Sequence, residues 1–517
     1  MSLQPTSASH GSTTEDVVMS ENSDRSPQHP FLNASRHLWN WVFSNHTRAL
    51  TFPINTCSRE QTSPPHYPPE TLQPMSRLHI NALPVELLGE IFAQYTHSFL
   101  DGTPFVPEDH RRTRRRRKRE LQMRFGRVSA HRTSSTNPIL LGHVCGYWRA
   151  LSLSMPELWS KICVTFPTTS DVPLLDMWLK RSGTSPLDLT IVHSQGRVKD
   201  DGIDDIVRLT CGQNHRWKHV TLILGEHVDH LFDAWAPSIP FPLLEGIDLQ
   251  LSDWDEDIAV QLCRLMYRAP NLRRVRHNTW WKTPSVTSGI PWSVLEDVEL
   301  KVLDADDLDV AFTQGLHLRS LTIHNLVGTV KRLPSDPSML PHLGYLSIGS
   351  GDIHQILRKV ELPALKELHL PEGLGGRHTS QTVPDILQEI TRFSCRLEKL
   401  LVNLGHPADE DILITILQSP VMTDLKSLAI RSKATGKLLQ FLTPSSSSSS
   451  PLSKLEHLIL SKLYSNDGEL KDMVQSHVGC SASRLRSVEV CFYTHSHAID
   501  KTIEFPNIRM LLSTVYG

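Results

Sequence analysis

A short apolar unit recurs eleven times between residues 217 and 490, and it constrains the fold of this chain more than any other feature. The unit reads L-x-x-L-x-L, with V, I or W allowed in place of leucine, and successive copies begin 22 to 32 residues apart. The copies occupy residues 217–222, 244–249, 272–275, 295–300, 318–323, 343–348, 365–370, 397–402, 425–430, 455–460 and 485–490. Because side chains alternate across a strand, each copy predicts a short strand with one buried face.

Helical patterns separate these predicted strands, at residues 258–266, 353–360 and 412–417. Proline often precedes the strand, as at Pro242, Pro270, Pro341 and Pro363, and would end a helix there. One unit cannot bury its own apolar side, so neighbouring units must stack. The alternation predicts an α/β fold and resembles an irregular leucine-rich-repeat solenoid over residues 217–517. A doubly wound α/β domain is the alternative, and the repeated strand motif argues against it.

The chain before the repeats divides into three further segments. Residues 1–76 contain 20 Ser or Thr and 9 Pro, which predicts a disordered tail because such a segment buries little apolar surface. Residues 78–162 form a predicted helical domain, interrupted by a basic insertion at residues 98–137. Residues 163–216 are interpreted as a segment that connects this domain to the repeats.

Charge and composition exclude several classes of protein. The 53 Lys and Arg against 55 Asp and Glu leave a formal net charge of -2, which argues against a general polyanion binder. No apolar run is long enough to span a bilayer, and the first 26 residues lack the apolar core of a secretory signal. The eight cysteines are scattered without a CxxC pair, which favours free thiols in a reducing compartment. We therefore expect a cytoplasmic or nuclear protein without a membrane partner.

Two apolar helical faces are predicted in the helical domain. Leu87, Ile91 and Tyr95 are spaced four apart, with Leu88 and Phe92 in the adjacent row. A second helix is predicted near residues 139–151. Its apolar face carries Leu141, Val144, Cys145, Trp148 and Leu151. A turn with the sequence PELW follows at residues 156–159.

These residues carry a resemblance to a known family. The stretch LPVELLGEIF at residues 83–92 resembles the opening helix of an F-box, and VCGYWRAL at residues 144–151 followed by PELW resembles its second half. The segment WLKRSG at residues 178–183 resembles one that recurs in F-box-like proteins of mushroom-forming fungi. The insertion of about 40 residues departs from the F-box pattern; a long loop adds little closure entropy.

The F-box resemblance implies a function and a set of contacts. It implies a substrate adaptor of an SCF-type cullin–RING ubiquitin ligase, with the linker subunit and cullin as partners and an unknown protein as substrate. Apolar surface that a small helical pair cannot bury suits a helix-in-groove interface. The residues expected to contact the linker subunit are Leu83, Pro84, Ile91, Phe92, Val144 and Trp148. Plain core packing is the alternative for each of them, above all for Trp148.

The basic insertion contains one dense cluster of positive charge. It consists of Arg111, Arg112, Arg114, Arg115, Arg116, Arg117, Lys118 and Arg119. Like charges repel, so the cluster predicts a solvated loop. It is interpreted either as a nuclear-import signal or as an insertion without a partner. Nucleic-acid binding is the less favoured hypothesis because no aromatic residues are interleaved.

The outward positions of the repeat strands would form the substrate-binding surface. Side chains between and beside the inward leucines point to the opposite face, and stacking lines them up on a concave surface. The candidates are Arg274, Arg276, Asp297, Glu299, Lys301, His324, His369, Lys399, Asn403, Arg431 and Glu489. Their mixed signs do not indicate a phosphate-rich ligand, and a merely solvated strand face is the alternative for each residue.

No catalytic or metal-binding pattern is found. His215 and His219 are four apart but lack the glutamate of an HExxH site, and the glycine-rich residues 372–377 lack the Lys-Ser/Thr ending of a phosphate loop. His227 with His230, and Cys491 with His495 and His497, have no companion ligand at metal spacing. We therefore expect no cofactor and no enzyme activity. The functional hypotheses are a ligase adaptor, a protein-binding scaffold without ligase coupling, and, least favoured, an enzyme in the repeats.

Overall fold

The structure is a computed structural model. It describes residues 80–97, 128–130, 137–193, 202–233, 241–279, 286–287, 289–328, 338–349, 357–358, 360–370, 388–403, 409–444, 452–480, 483–493, 497–501, 505 and 507–514. The predicted tail at residues 1–76, the basic cluster at residues 111–119 and part of the helical pattern at residues 353–360 lie outside these ranges.

Nineteen strands lie within the described residues. They are β1 (Val128–Ser129), β2 (Lys161–Thr165), β3 (Leu187–His193), β4 (Trp217–Gly225), β5 (Gly246–Ser252), β6 (Arg274–His277), β7 (Asp297–Leu300), β8 (Leu303–Asp304), β9 (Ser320–Ile323), β10 (Leu326–Val327), β11 (Ser338–Met339), β12 (Tyr345–Ile348), β13 (Val360–Glu361), β14 (Glu367–Leu370), β15 (Lys399–Val402), β16 (Ser427–Thr435), β17 (His457–Tyr464), β18 (Ser487–Phe492) and β19 (Arg509–Thr514).

Fifteen of these strands form one sheet in chain order, and β8–β10 and β11–β13 form two small parallel pairs beside it. Every pairing in the large sheet is parallel except that of β1 with β2. The predicted α/β class is confirmed: the structure contains a long sheet of mostly parallel strands, and each of the eleven sequence units carries one strand of it. The sheet also includes β2 and β3, so residues 163–216 contribute strand structure and not only a connection.

Twelve α-helices occur in the described residues. They are α1 (Val85–His97), α2 (Pro138–Leu141), α3 (Gly146–Leu153), α4 (Val172–Arg181), α5 (Ile203–Cys211), α6 (His230–Asp233), α7 (Glu256–Tyr267), α8 (Ala305–Gln314), α9 (Asp409–Leu417), α10 (Gly436–Leu442), α11 (Glu469–Gly479) and α12 (Ala498–Lys501). Helices α7 and α9 contain the predicted helical patterns at residues 258–266 and 412–417.

The helix predicted near residues 139–151 is two helices, α2 and α3. Asn137 caps α2 by accepting the N–H of Ile139 at 2.9 Å, and Gly142 ends it. The chain then turns, and the Cys145 sulfur accepts the N–H of Trp148 at 3.4 Å to begin α3. The apolar spacing continued through the turn, so periodicity alone did not reveal the break.

Two columns of inward side chains form the core of the large sheet. In the first column, Val298, Leu321 and Leu346 lie side by side in β7, β9 and β12, and the same register continues into β14 through β18. These side chains are 0 to 1% exposed. Full burial of such a side chain contributes about 1.5–3 kcal/mol, so the stacked columns supply most of the stabilisation of the sheet.

His277 occupies one position of the second inward column, which is apolar in the neighbouring strands β5 and β7. It lies between Leu249 and Leu300 in register, is 1% exposed, and its Nε2 lies 2.7 Å from the hydroxyl of Tyr267 on α7. Burial lowers the pKa of His277 from 6.5 to about 4. The neutral imidazole is therefore the form that the folded state retains at neutral pH.

We expect Leu321→Ala to lower the free energy of unfolding by about 2–5 kcal/mol, because it opens a cavity between two paired strands. The measurement is urea unfolding followed by circular dichroism. Thr322→Ala in the same strand is the matched control, since Thr322 points outward and is half-buried; its change should stay within about 0.5 kcal/mol. Equal losses in the two variants would contradict the assignment of the inward column.

The buried His277 should make the free energy of unfolding depend on pH. The unfolded chain protonates His277 near pH 6.5 and the folded chain only near pH 4. Its contribution to stability is therefore complete above pH 6.5 and is lost as the pH falls from 6.5 to 4, by on the order of 2–3 kcal/mol. His277→Leu should reduce this loss in urea unfolding measured across that range. An unchanged pH profile would show that His277 does not carry the effect.

Candidate functional site

The helical unit consists of α1, α2, α3 and the short 3-10 turn Pro156–Trp159. Its core is an aromatic contact between Phe92 on α1 and Trp148 on α3, whose ring centroids are 4.8 Å apart. Leu88 is fully buried beside Phe92 on the same face of α1. Aromatic pairs in this geometry add about 0.5–1.5 kcal/mol beyond the area that they bury.

The structure divides the six residues predicted to contact a linker subunit into two groups. Phe92 is 1% exposed and Trp148 is 4% exposed, so both lie inside the helical unit rather than on its surface. Pro84 and Val144 are exposed, and Leu83 and Ile91 are half-buried. The sequence pattern could not separate the groups, because a core face and an adjacent exposed stripe have the same helical period.

Exposed apolar side chains flank the Phe92–Trp148 contact. On α1, Val85 is 45% and Leu87 is 52% exposed, and on the other side Val144 is 40% and Tyr147 is 45% exposed. Together with Pro84 they are called the helical-unit patch. Helix α1 packs on α2 and α3, so these exposed residues belong to, or directly adjoin, helices that contact one another. Leu87 and Tyr147 were not predicted as contacts, although both precede buried core positions.

Tryptophan contacts fix the helical unit to the sheet. The Trp159 indole donates its N–H to the carbonyl of Ser152 at 2.9 Å and meets Trp178 of α4 edge to face, with ring centroids 5.5 Å apart. The Arg181 guanidinium lies over the Trp159 ring at 4.4 Å. Both indoles are at most 1% exposed. The helical unit is thus held on the first strands of the sheet by buried aromatic packing.

The open strand face is the outward face of the large sheet, opposite the two inward columns. The described candidates for substrate contacts all belong to strands β6, β7, β14, β15, β16 and β18 or directly follow β7, β9 and β15. Arg274, Lys399, Arg431 and Glu489 are exposed, and the other seven are half-buried. The prediction that they bind a substrate stays a prediction.

Most of the charged candidates in the amino-terminal half of this face pair with one another. Asp297 accepts from Arg274 at 2.9 Å and from Arg276 at 3.1 Å. Glu299 lies 3.3 Å from the His324 imidazole and 3.7 Å from Arg276. The hydrogen bond from His324 and the nearby cations lower the pKa of Glu299. The charges are therefore neutralised across strands, which leaves little net field for a charged ligand.

Pairing also extends to two other candidates. Lys399 on β15 lies 2.7 Å from Glu367 on β14. His369 meets Tyr345, with its Nδ1 3.1 Å from the Tyr345 hydroxyl, and burial lowers the pKa of His369.

A second set of charges, which sequence reasoning missed, alternates in sign just before the strands. It occupies the second position of the sequence units, where backbone hydrogen bonds bring successive residues side by side. This charge ladder reads Lys218, Glu245, Arg273, Glu296, Arg319, Gly344, Lys366, Glu398, Lys426, Glu456 and Arg486. Its ion pairs include Lys426–Glu398 at 2.7 Å and Arg319–Glu296 and Arg486–Glu456 at 3.3 Å. The alternation was readable from the second position of each unit.

One polar cluster has the residue types of a metal site. Asp467, His497 and Asp500 offer ligand atoms within 4.8 Å of one another. Asp467 accepts the backbone N–H groups of Ile499 and Asp500 at 2.9 and 3.1 Å, which caps α12. The other carboxylate, Asp500, lies 3.1 Å from His497 Nδ1 and accepts the N–H of Lys471 at 3.0 Å. These internal hydrogen bonds explain the cluster as a helix cap.

Burial makes three of the described cysteines unreactive. Cys145, Cys163, Cys211, Cys263, Cys395, Cys480 and Cys491 are free thiols. Burial raises the pKa of Cys211 and Cys263 to about 12 and that of Cys395 to about 11. These three thiols therefore stay protonated at neutral pH and are poor nucleophiles.

Comparison with known proteins gives only weak likenesses. No protein-family model and no curated protein matches the sequence. A crystal structure of a Bacteroides fragilis protein is 15% identical with a TM-score of 0.33, over 56% of this chain and 76% of that chain. The yeast complex of Rad7 and Elc1 is 13% identical with a TM-score of 0.28, over 66% of this chain and 88% of that chain. Both TM-scores are below 0.5, so neither match defines the fold.

No helix in the described part of the chain combines the length and apolarity that crossing a bilayer requires.

The charge ladder predicts that a carboxylate at position 344 will stabilise the fold, because Gly344 lies between two cations, Arg319 and Lys366. A Cβ there would meet only backbone oxygens at 3.8 Å or more, so a side chain fits. Gly344→Glu should raise the free energy of unfolding by about 1–2 kcal/mol, from reduced unfolded-state entropy and two new ion pairs.

Gly344→Ala and Gly344→Lys are the matched controls. The alanine variant should gain only the entropic part, about 0.4–1 kcal/mol, and the lysine variant should fall below it because three cations then adjoin. In 1 M salt the differences among the three variants should shrink. The same stability for the glutamate and lysine variants would show that the ladder does not act through charge.

Proposed function

We propose that this chain is a substrate adaptor of an SCF-type cullin–RING ubiquitin ligase. In this proposal the helical unit is an F-box-like domain that binds the linker subunit. The sheet with its helices is a leucine-rich-repeat-like solenoid that holds a protein substrate. The chain itself does no chemistry and needs no cofactor. The observation that carries the proposal is the helical-unit patch, an exposed apolar surface built on the F-box-like sequence segments.

The packing of the helical unit supports this role. Its core is already filled by Leu88, Phe92 and Trp148, which are at most 4% exposed. The exposed Leu87 and Val144 therefore lie outside that core. Exposed apolar side chains on neighbouring helices are the surface that a helix-in-groove partner covers.

A rigid connection between the two parts also supports an adaptor. An adaptor must hold its substrate at a defined position relative to the ligase. The buried Trp159–Trp178 contact links the helical unit to α4, the helix that connects β2 and β3 of the sheet. Close-packed aromatic contacts of this kind resist bending because any movement loses dispersion contacts.

The test is capture of a purified linker subunit, alone and with cullin, by the full-length chain and by a Leu87→Ser, Val144→Ser variant. The variant should bind the linker subunit at least about tenfold more weakly, because two apolar side chains no longer become buried. It should keep its unfolding midpoint, since neither side chain is in the core. Substitution of Phe92 is unsuitable here because it would disrupt the fold of the helical unit.

A Leu316→Ser, Met339→Ser variant is the matched control. Leu316 is 52% and Met339 is 53% exposed, and both lie outside the helical unit. This variant should bind the linker subunit like the wild type. If folded wild-type chain captures neither partner, or if both variants lose binding equally, the ligase proposal fails. The protein-binding scaffold then becomes the favoured function, with the basic cluster at residues 111–119 as its candidate nuclear-import signal.

A further inference from the structure

We infer that the open strand face from β15 to β19 binds an extended acidic segment of a partner protein that also carries apolar side chains. This inference deepens the proposed function, because the segment would belong to the substrate. It differs from the sequence-based surface in placing the site in the carboxyl-terminal half only. Three observations carry it: an apolar stripe, three cations without carboxylate partners, and an adjoining aromatic cavity.

The apolar stripe follows one outward column across the last strands. Leu401, Ala429 and Ile459 lie side by side in β15, β16 and β17; Glu489 interrupts the column in β18, and Leu511 resumes it in β19. Leu401 and Ile459 are half-buried, and Leu511 is 46% exposed. In β5 to β9 the same column holds Asp248, Arg276, Glu299 and Thr322. The column therefore changes from paired charges to mainly apolar side chains along the sheet, with Glu489 as the charged member in β18.

Positive charge borders this stripe. Arg431 and Lys433 on β16 and Lys462 on β17 are exposed. None of the three forms an ion pair with a carboxylate among the residues that the structure describes. The register neighbour of Lys433 is Lys462, which is also a cation. Glu489 is the exposed carboxylate nearest to them in the strand order, on β18 beside Ile459.

The position of the two lysines is unfavourable for the free protein. Lys433 and Lys462 are direct neighbours across β16 and β17. Like charges opposite each other destabilise a strand pair. The charge ladder and the Asp297 and Glu299 pairs avoid such contacts elsewhere in the same sheet. An external anion placed between the lysines would remove the repulsion, which favours an acidic partner over a neutral one.

An aromatic cavity continues the site beyond the lysines. The Lys433 ammonium lies 4.4 Å from the centroid of the Tyr464 ring, and Tyr464 stacks on Tyr493 with centroids 4.4 Å apart. Tyr464 also lines a cavity of about 400 Å³ at the carboxyl ends of β16 and β17, together with Thr435, Lys437, Asn466 and Glu469. This cavity has room for a large side chain of the bound segment.

These features specify the occupant. An extended peptide presents side chains alternately to either side, so apolar residues can lie on the Leu401–Ile459 stripe while neighbouring acidic residues reach the cations. A single-stranded nucleic acid would also meet positive charge and tyrosine rings. The aliphatic stripe favours the peptide, because nucleotides stack on aromatic rings and not on leucine and isoleucine.

The test is selection of random-sequence displayed peptides on the full-length chain, followed by sequencing of the bound pool. We expect enrichment of Asp and Glu together with Leu, Ile, Val or Phe. The best selected peptide should bind an Arg431→Ser, Lys433→Ser, Lys462→Ser variant about tenfold more weakly, and its binding to wild type should weaken with added salt. Leu401→Ser, Ile459→Ser should remove the apolar preference but leave the acidic one.

The matched control is an Arg274→Ser, Arg276→Ser, Arg319→Ser variant, which loses the same charge from the other half of the sheet. It should bind the selected peptide like the wild type. A Lys462→Ser variant should have a free energy of unfolding in urea at least as high as that of the wild type, because it removes a like-charge contact. If Lys462 had only a structural role, the substitution would lower the free energy of unfolding. A pool without acidic enrichment, an equal loss in the control, or displacement by a single-stranded oligonucleotide of higher affinity would overturn the inference.

The same variants separate this inference from the proposed function. The triple variant in β16 and β17 should capture the linker subunit like the wild type, because the helical-unit patch is unchanged. Peptide binding without linker capture would leave the acidic-segment site standing on a scaffold. Linker capture with no acidic preference in the pool would leave the adaptor proposal standing and overturn this site.

Discussion

In-register stacking of the two inward columns is the constraint on which the rest of the structure depends. Leu321 has a register partner in the strand on either side, and the same is true of every member of the first inward column in the large sheet from β3 to β18. No strand can bury its apolar face without the next one, so stability accumulates along the chain by nearest-neighbour contacts. The outward columns are thereby positioned as well, because a strand fixed in register on one face is fixed on the other. The cross-strand ion pairs and the cation-rich segment both follow from this registry.

The helical unit solves a different packing problem. It is too small to bury many side chains, and it concentrates its core in Phe92, Trp148 and the leucine beside them. Large aromatic rings give a small unit the most buried area per residue. The surrounding aliphatic residues then remain exposed, because the unit is too small to bury them, and they form an apolar surface. Trp159 and Trp178 join this unit to the sheet through the same kind of contact.

The sequence predicted the positions of the strands better than the contacts of the surface residues. The L-x-x-L-x-L spacing located eleven strands because alternate residues of a strand point to the same face, so apolar residues two apart indicate a strand with one buried face. It did not locate β2 and β3 within the sheet, since their apolar runs lack the full motif. The sequence pattern also placed Phe92 and Trp148 among the residues expected to contact a linker subunit. The helical period identifies the apolar face of a helix, but it does not show whether that face packs inside the unit or against a partner. The pairing of Arg274 with Asp297 depended on register across 23 residues, which requires the folded sheet.

The alternation of charge at the second position of each unit restricts how repeats can be lost or duplicated in such a chain. Loss or duplication of a single repeat would bring two residues of the same sign together in the ladder. Loss or duplication of two repeats would preserve the alternation. Gly344 is the place where a neutral residue stands between two cations, and there the sign sequence could absorb a change. The electrostatics of one edge therefore impose a parity rule on the number of repeats, and Gly344 marks an exception: duplication of its repeat, or loss of the repeat on either side, brings no like charges together.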